Sequence, residues 1–359
     1  MKIRHIAGRE LDELSYRQWA ALQRANPTFE SAFFHPEYTG RVAEQQSNVE
    51  IAIVEKDGEA VAFWPFERLS RGVAGPVGGS LADYHGLVGD FAALDGFDPR
   101  ELLRACQLNG WDFSHLPASQ SLLCPSGGKA GESPQIDVSG GFAAYAAAKR
   151  AAGSNLVDRV TYLERRLARE IGPVRFAVEE TDPAALNQLL RWKSAQYVRT
   201  RNRDLFASGP TRAVVEGVWA SRAQGFAGVL STLYAGDHLI AAHFGPRSDV
   251  SWSYWFPAHD VSFARFSPGL ILLLNMVNAA PRIGLRNIDL GAGDYAYKTR
   301  LATGAVPLLE GSLELPTVFN RGRAIKRRLM SLLRTSPLTA PGRALVRMSR
   351  SARRVAAPT

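Results

Sequence analysis

"IDLGAGDYAYKTRLATGAVPL", residues 288–308, runs from a short apolar segment into two glycines, an acid, two tyrosines, a lysine and an arginine, then back to apolar residues. Gly291, Gly293 and Ala296, with Glu310 downstream, satisfy the G-x-G-x-x-G/A spacing of a dinucleotide-binding turn. That fold needs a full helix after the turn and more strand–helix units beyond it. Tyr297–Gly304 has room for about two helical turns, and too little chain follows. The stretch therefore reads as strand, polar turn, short helix and strand, and the polar knot needs another purpose.

The rest of the chain sets the setting. Its 359 residues, 46% hydrophobic, suffice for two medium domains with real cores. The start, MKIRHIAGRELDEL, carries charges where a signal peptide needs an apolar run, and Gly269–Met276 is too short to span a bilayer. A cytoplasmic protein is expected. Cys106 and Cys124 form neither a CxxC pair nor a disulfide framework and read as small buried residues, so redox chemistry has no support. His238 and His243, with no HExxH and no cysteine partner, give no reason to expect a metal. The net charge is +9, but residues 321–359 hold 11 Arg/Lys and no acid; removing those 11 from the 43 basic residues leaves 32 against 34 acidic. The basic charge belongs to a tail.

Periodicity predicts a helix over 11–25, strands over 50–54 and 60–66 around Lys56-Asp57-Gly58, and a Gly/Pro-rich loop over 72–79. A helix over 98–109, a strand over 111–116 and a loop over 119–134 follow, with a domain boundary after the loop. Residues 142–170 read as connecting helices. The second part repeats the order: strand 174–178, helices 183–197 and 211–224, a hairpin of 228–234 with 238–245, strand 250–256, helix 268–278, and strands 287–290 and 308–315.

That order resembles the GNAT acyltransferase fold. "RNIDLGAGDYAYKTRLA" is similar to the terminal signature of the BioF2-like acetyltransferases, often named for cellulose or exopolysaccharide biosynthesis; "SAFFHPEY" (31–38) and "FSPGLILLL" (266–274) resemble further blocks of that group. The resemblance implies an α/β (α+β) fold of two tandem GNAT-like modules, distantly Fem-like: an N-terminal module 1–140, connecting helices 141–172, a C-terminal acetyltransferase module 173–318, and a basic amphipathic tail 319–359. It implies acetyl-CoA or another acyl-CoA as co-substrate, no metal, and an amino or hydroxyl acceptor, a small molecule or a sugar of an exopolysaccharide precursor. GNAT proteins usually cradle the CoA pyrophosphate with a Q/R-x-x-G-x-G/A turn, whereas this chain has only Arg265-Phe-Ser-Pro-Gly269. Fem relatives, with a reduced loop, take aminoacyl-tRNA. A Fem-like aminoacyl transferase and a non-catalytic scaffold of a polysaccharide synthase are the rival readings.

Acyl transfer to an amine needs a base, oxyanion donors and an acid for the leaving thiolate. Asp294 is the candidate base, Tyr297 the acid, and Lys298 a phosphate or oxyanion partner; alternatively Asp294 and Lys298 form an i,i+4 pair while Tyr297 packs. Pro268 at a helix start would leave the N–H groups of Gly269, Leu270 and Ile271 facing a phosphate, with Arg265 and Ser267 beside them; the plain alternative is a Ser267 cap. Asp83, Tyr84 and His85 of "ADYHG", with Tyr254 of the aromatic run 252–256, are candidate acceptor-binding residues. In the tail, Ile325, Leu329 and Leu332/Leu333 share a helical face ringed by cations, which reads as an anchor to an anionic membrane surface; a disordered tail or an RNA-binding arm are the alternatives, and the leucines favour the membrane.

Overall fold

The computed structural model describes residues 1–293 and 295–325. The first half runs β1 (Lys2–Ala7), α1 (Glu13–Ala25), α2 (Pro36–Gln45), β2 (Val49–Lys56), β3 (Glu59–Arg68), β4 (Val73–Gly75), β5 (Val88–Gly89), α3 (Arg100–Ala105), β6 (Gly110–Pro117) and β7 (Lys129–Asp137). Helices α4 (Gly141–Ala151) and α5 (Leu156–Glu170) lead to the second half: β8 (Val174–Ala177), α6 (Pro183–Arg199), α7 (Gly209–Ala220), β9 (Arg222–Ala223), β10 (Phe226–Ala235), β11 (His238–Arg247), β12 (Ser251–Ser253), β13 (Phe256–His259), α8 (Pro268–Ala279), β14 (Asn287–Asp289), α9 (Ala296–Leu301) and β15 (Gly304–Glu314). Local chemistry sets the ends. Asp12 and Asp182 cap α1 and α6 by accepting from Ser15 N and Ala184 N, each at 2.8 Å. Asp57 and Gly58, at φ 54° and 88°, make the left-handed turn between β2 and β3.

One sheet carries both halves, in the order β1-β2-β3-β4-β6-β15-β7-β14-β12-β11-β10-β8. From either edge inward the roles repeat: three antiparallel neighbours and then a parallel pair, β4 with β6 in the first half and β12 with β14 in the second. The crossovers contain α3 and α8, as parallel pairing requires. The innermost strands are exchanged. β15, from the far end of the chain, lies against β6, while β7 lies against β14, and the two pair with each other at the centre.

The burial follows this exchange. One apolar cluster joins Trp19, Phe63 and Tyr84 to Leu186, Val214, Phe244 and Trp255, so it spans both halves. Two others are each centred on one half and include a residue of the exchanged strand: one around Trp64 and Trp111 with Leu313 of β15, the other around Leu272 and Val277 with Ile136 of β7. The "SAFFHPEY" block is part of the shared core: Phe33 packs edge-on to Trp255 with centroids 5.5 Å apart.

Three local expectations change. The 72–79 loop contains β4. The 119–134 loop gives way to β7 at Lys129; the polar sequence KAGESPQID forms a strand because neighbours on both sides complete its hydrogen bonds, not because it is apolar. The expected 250–256 strand breaks after Ser253, where the chain leaves β14 and, from Phe256, pairs with β11 as β13. At the other end, residues 318–325 are helical and docked: Arg323 bonds Asp112 at 2.5 and 2.6 Å, and Asn320 Nδ2 donates to Asn109 O and Leu315 O. Lys326 onward, including most of the expected membrane-binding tail, lies outside the described residues.

Gly245 on β11 meets Ser253 so closely that an added Cβ would stand 1.9 Å from Ser253 O. Gly245→Ala is expected to destabilise the fold by about 2–4 kcal/mol through backbone displacement. Chemical denaturation reads this directly, and an unchanged midpoint would mean that β11 and β12 are not packed this tightly.

Candidate active site

Strands β12 and β14 pair in parallel from Ser251/Asn287 to Ser253/Asp289 and then separate. Tyr254 N still donates to Asp289 O at 2.7 Å, whereas Leu290 N turns to Pro134 O of β7 at 2.9 Å. Two parallel strands that part leave a wedge between them. This wedge opens where the polar knot begins.

Asp289, 2% exposed, lies at its apex. Tyr84 OH and Gln135 Nε2 donate to its Oδ2, the latter at 3.0 Å, while Ser133 Oγ at 2.6 Å and Gly291 N at 2.7 Å donate to Oδ1. Three of those donors come from the first half of the chain. These four donors satisfy the buried carboxylate, which has no ion-pair partner among the described residues.

Asp83 approaches the same turn from the first half. An added Cβ on Gly291 would lie 3.2 Å from Asp83 Oδ2, and Gly291 has φ 72°, so glycine serves here both the left-handed backbone and the close approach. Burial, and then the neighbouring Asp289 charge, push the Asp83 carboxyl up to about 7, with Lys298 pulling the other way. Lys298, 7% exposed, donates from Nζ to Gly291 O at 3.0 Å and Ala292 O at 3.1 Å. Its pKa is lowered by burial and partly restored by Asp83 and Asp289. The lysine therefore holds the turn and places a cation within reach of two carboxylates.

The other candidate residues take distinct places. Asp294 lies outside the described residues. Tyr297 is partly buried, and burial, then Tyr295, push its phenol up to about 12. Tyr254 is buried, stacks on His243 at 4.9 Å and donates to Gly269 O at 3.3 Å, so it braces the start of α8. His85 Nε2 accepts from Ser114 N at 3.0 Å and His115 N at 3.1 Å, and burial lowers its pKa to about 3. A neutral His85 thus ties "ADYHG" to β6 and orients its two neighbours. Ser267 is left-handed, at φ 55°, and its side chain makes no cap. Leu270 N and Ile271 N both donate to Ser267 O, which leaves the Gly269 N–H without an acceptor among the described residues. Arg265 is drawn away, paired with Glu170 at 3.1 Å and lying over Phe266 at 4.6 Å.

Residues not singled out in the sequence also converge. Lys193 Nζ donates to Pro257 O at 3.2 Å and lies 5.5 Å from the Tyr197 ring. Its signal was positional: Leu186, Leu189/Leu190, Lys193 and Tyr197 follow one helical stripe, and a lysine on a buried stripe is unusual. An added Cβ on Gly269 would lie 3.7 Å from His259 Nδ1. Among the described residues no group of His, Cys, Asp and Glu is arranged to hold a metal ion, and no helix is long and apolar enough to cross a membrane.

This architecture, a mixed α/β fold with a parallel strand pair in each half, is GNAT-like. Within it residues 157–299, from α5 through the polar knot, match the model of the acetyltransferase (GNAT) domain. Solved structures share the whole fold at low identity. FemX superposes with a TM-score of 0.63 at 11% identity, covering 91% of this chain and 100% of its own. L-PGS from Bacillus licheniformis gives 0.54 at 12%, covering 89% and 96%. No curated protein matches the chain in sequence.

The Asp83 carboxyl makes a stability prediction with a definite sign. Folding raises it from the ordinary 3.8 to about 7, so between those values the folded state holds the proton more tightly and stability falls as pH rises. Asp83→Asn removes the effect. Its melting temperature relative to wild type should be higher at pH 8 than at pH 5; a pH-independent difference would show that Asp83 titrates as an ordinary surface acid.

Proposed function

We propose that the chain is an acyltransferase that moves an acyl group from an acyl-CoA thioester to an amine, with Asp83 as the base. The observation that carries this reading is the Asp83 carboxyl, poised near neutral pH beside the Gly291 turn where the parallel strands part. The GNAT-domain match over 157–299 supports the same reaction class.

In this reading the acceptor nitrogen attacks the thioester carbonyl carbon, and its proton passes to the Asp83 carboxylate as the carbon–nitrogen bond forms. Lys298 commits two of its three N–H bonds to the turn and turns the third toward the developing oxyanion. As the carbon–sulfur bond breaks, the Tyr297 phenol, held protonated by burial, supplies the thiolate with a proton; solvent then carries the proton from Asp83 to the phenolate, which restores both groups. Asp289 does not react; it fixes Tyr84, Gly291 and β7 around the reacting atoms. The BioF2-like resemblance suggests a sugar amine of a surface-polysaccharide precursor as acceptor. The diversion of Arg265 to Glu170 supports a second reading, an aminoacyl donor of the Fem type, because it leaves the expected CoA phosphate contact unmade.

Thermal-shift titration with acetyl-CoA and with aminoacyl-tRNA separates the two donors: stabilisation by acetyl-CoA is expected, and stabilisation by the charged tRNA alone would move the chain to the second reading. With the stabilising donor and an amine acceptor, kcat/KM should rise with pH through about 7. Asp83→Asn should lower it at least about 100-fold and abolish that rise, and Tyr297→Phe should lower kcat about tenfold. Near-wild-type turnover in Asp83→Asn would remove the base from this reading.

A further inference from the structure

The helix over residues 318–325 presents two unlike faces. Its inner face is tied down. Asn320, 4% exposed, donates from Nδ2 to Asn109 O at 2.7 Å and Leu315 O at 2.8 Å, and Arg323 holds Asp112 at 2.5 and 2.6 Å and Glu314 at 3.5 Å. Its outer face is apolar. Val318, 84% exposed, is the most exposed large apolar side chain among the described residues; Ile325, two helical turns on and so on the same side, is 68% exposed. Asn109 also donates from Nδ2 to Arg71 O at 3.0 Å, which fixes the neighbouring turn at residues 69–72, where Leu69 and Arg71 are exposed as well. Arg71 and Arg321 have no ion-pair partner among the described residues, in contrast to the inward Arg323.

An apolar face left in water beside unpaired cations is completed by a lipid surface, whose interior takes the apolar side chains while anionic headgroups take the cations. The sequence extends the same pattern. Leu329 and Leu332 keep the helical spacing of Val318 and Ile325, and nine of the eleven Arg/Lys after residue 320 lie beyond residue 325, with no acid among them. We propose that the outer face of the 318–325 helix is a docking surface for an anionic membrane leaflet, oriented on the sheet by Asn320 and Arg323, with the basic residues that follow adding charge attraction. RNA phosphates would attract the cations but give Val318 and Ile325 nothing to bury in, and a second copy of this chain would bring like charges together. The surface also lies away from the candidate active site. β15 begins at Gly304, which shares Gln135 of β7 with Asp289, and ends at Glu314, the partner of Arg323. Surface and wedge therefore stand at opposite ends of one strand, so docking leaves the wedge uncovered. The proposal does not depend on acyl transfer.

Flotation of the full chain with vesicles of mixed phosphatidylglycerol and phosphatidylcholine, and with phosphatidylcholine alone, tests the surface. Binding to the anionic vesicles should exceed binding to the neutral ones about tenfold or more and weaken as salt rises. Val318→Ser with Ile325→Ser should lower it about tenfold or more, the scale of two apolar side chains returned to water. The melting temperature of that variant should not change, because both side chains are already exposed, so a loss of binding is not a loss of fold. Asp83→Asn should bind vesicles as wild type does, which keeps failure of the surface distinct from failure of the chemistry. No preference for anionic vesicles, or equal binding by the double variant, overturns the proposal. So does binding of single-stranded RNA in place of the vesicles, or a dimer that the double variant dissolves.

Discussion

A single buried carboxylate, Asp289, ties this structure together. It sits at the last paired position of a short parallel strand and gathers donors from Tyr84, Ser133 and Gln135 of the first half and from Gly291 of the second. A buried acid lacking that shell would have to be neutralised or exposed. The need for satisfied hydrogen bonds therefore fixes where "ADYHG", β7 and the polar turn lie relative to one another. In the proposed mechanism the same charge helps hold the Asp83 proton at a pH useful for catalysis. Structural cohesion and the chemistry of the site thus share one residue.

The exchange of β7 and β15 explains why the two halves act together. Each half lacks its innermost strand and takes it from the other, so the wedge of the second half is walled by β7 of the first. The halves are nonetheless unequal. The crossover helix of the second half, α8, has twelve residues and an uncapped start, while its counterpart α3 has six. Just ahead of α3, Asp98 accepts from Arg100 N at 3.0 Å, and Asp95 and Asp98 line an open depression of about 510 Å³ there. The first half supplies walls and Asp83, and the second supplies the helix start and the turn.

Much of this was legible in the residues. The repeated element order and the hairpin turns are local signals, and they fall where the structure has them. β7 was not legible: KAGESPQID carries proline, glycine and charges, and it becomes a central strand only because two distant segments pair with it. The break at Tyr254 was hidden for the same reason, since an aromatic run reads as one strand until β14 and β11 compete for it. In the site, the polar knot announced itself, and so did "ADYHG". Their union through Asp289 spans more than two hundred residues and leaves no sequence signal beyond an acid at the end of an apolar strand. Lys193 was visible only as a charge on an otherwise apolar stripe.

The most direct test of the account is the pH dependence of acyl transfer in Asp289→Asn, with near-ultraviolet circular dichroism confirming intact packing. Burial and the Asp289 charge together raise the Asp83 carboxyl, so removing that charge should move the acidic limb of kcat/KM to lower pH while slowing turnover as Tyr84 and the Gly291 turn lose their anchor. An acidic limb unmoved from about 7 in a folded variant would contradict the coupling of the two carboxylates on which the account rests.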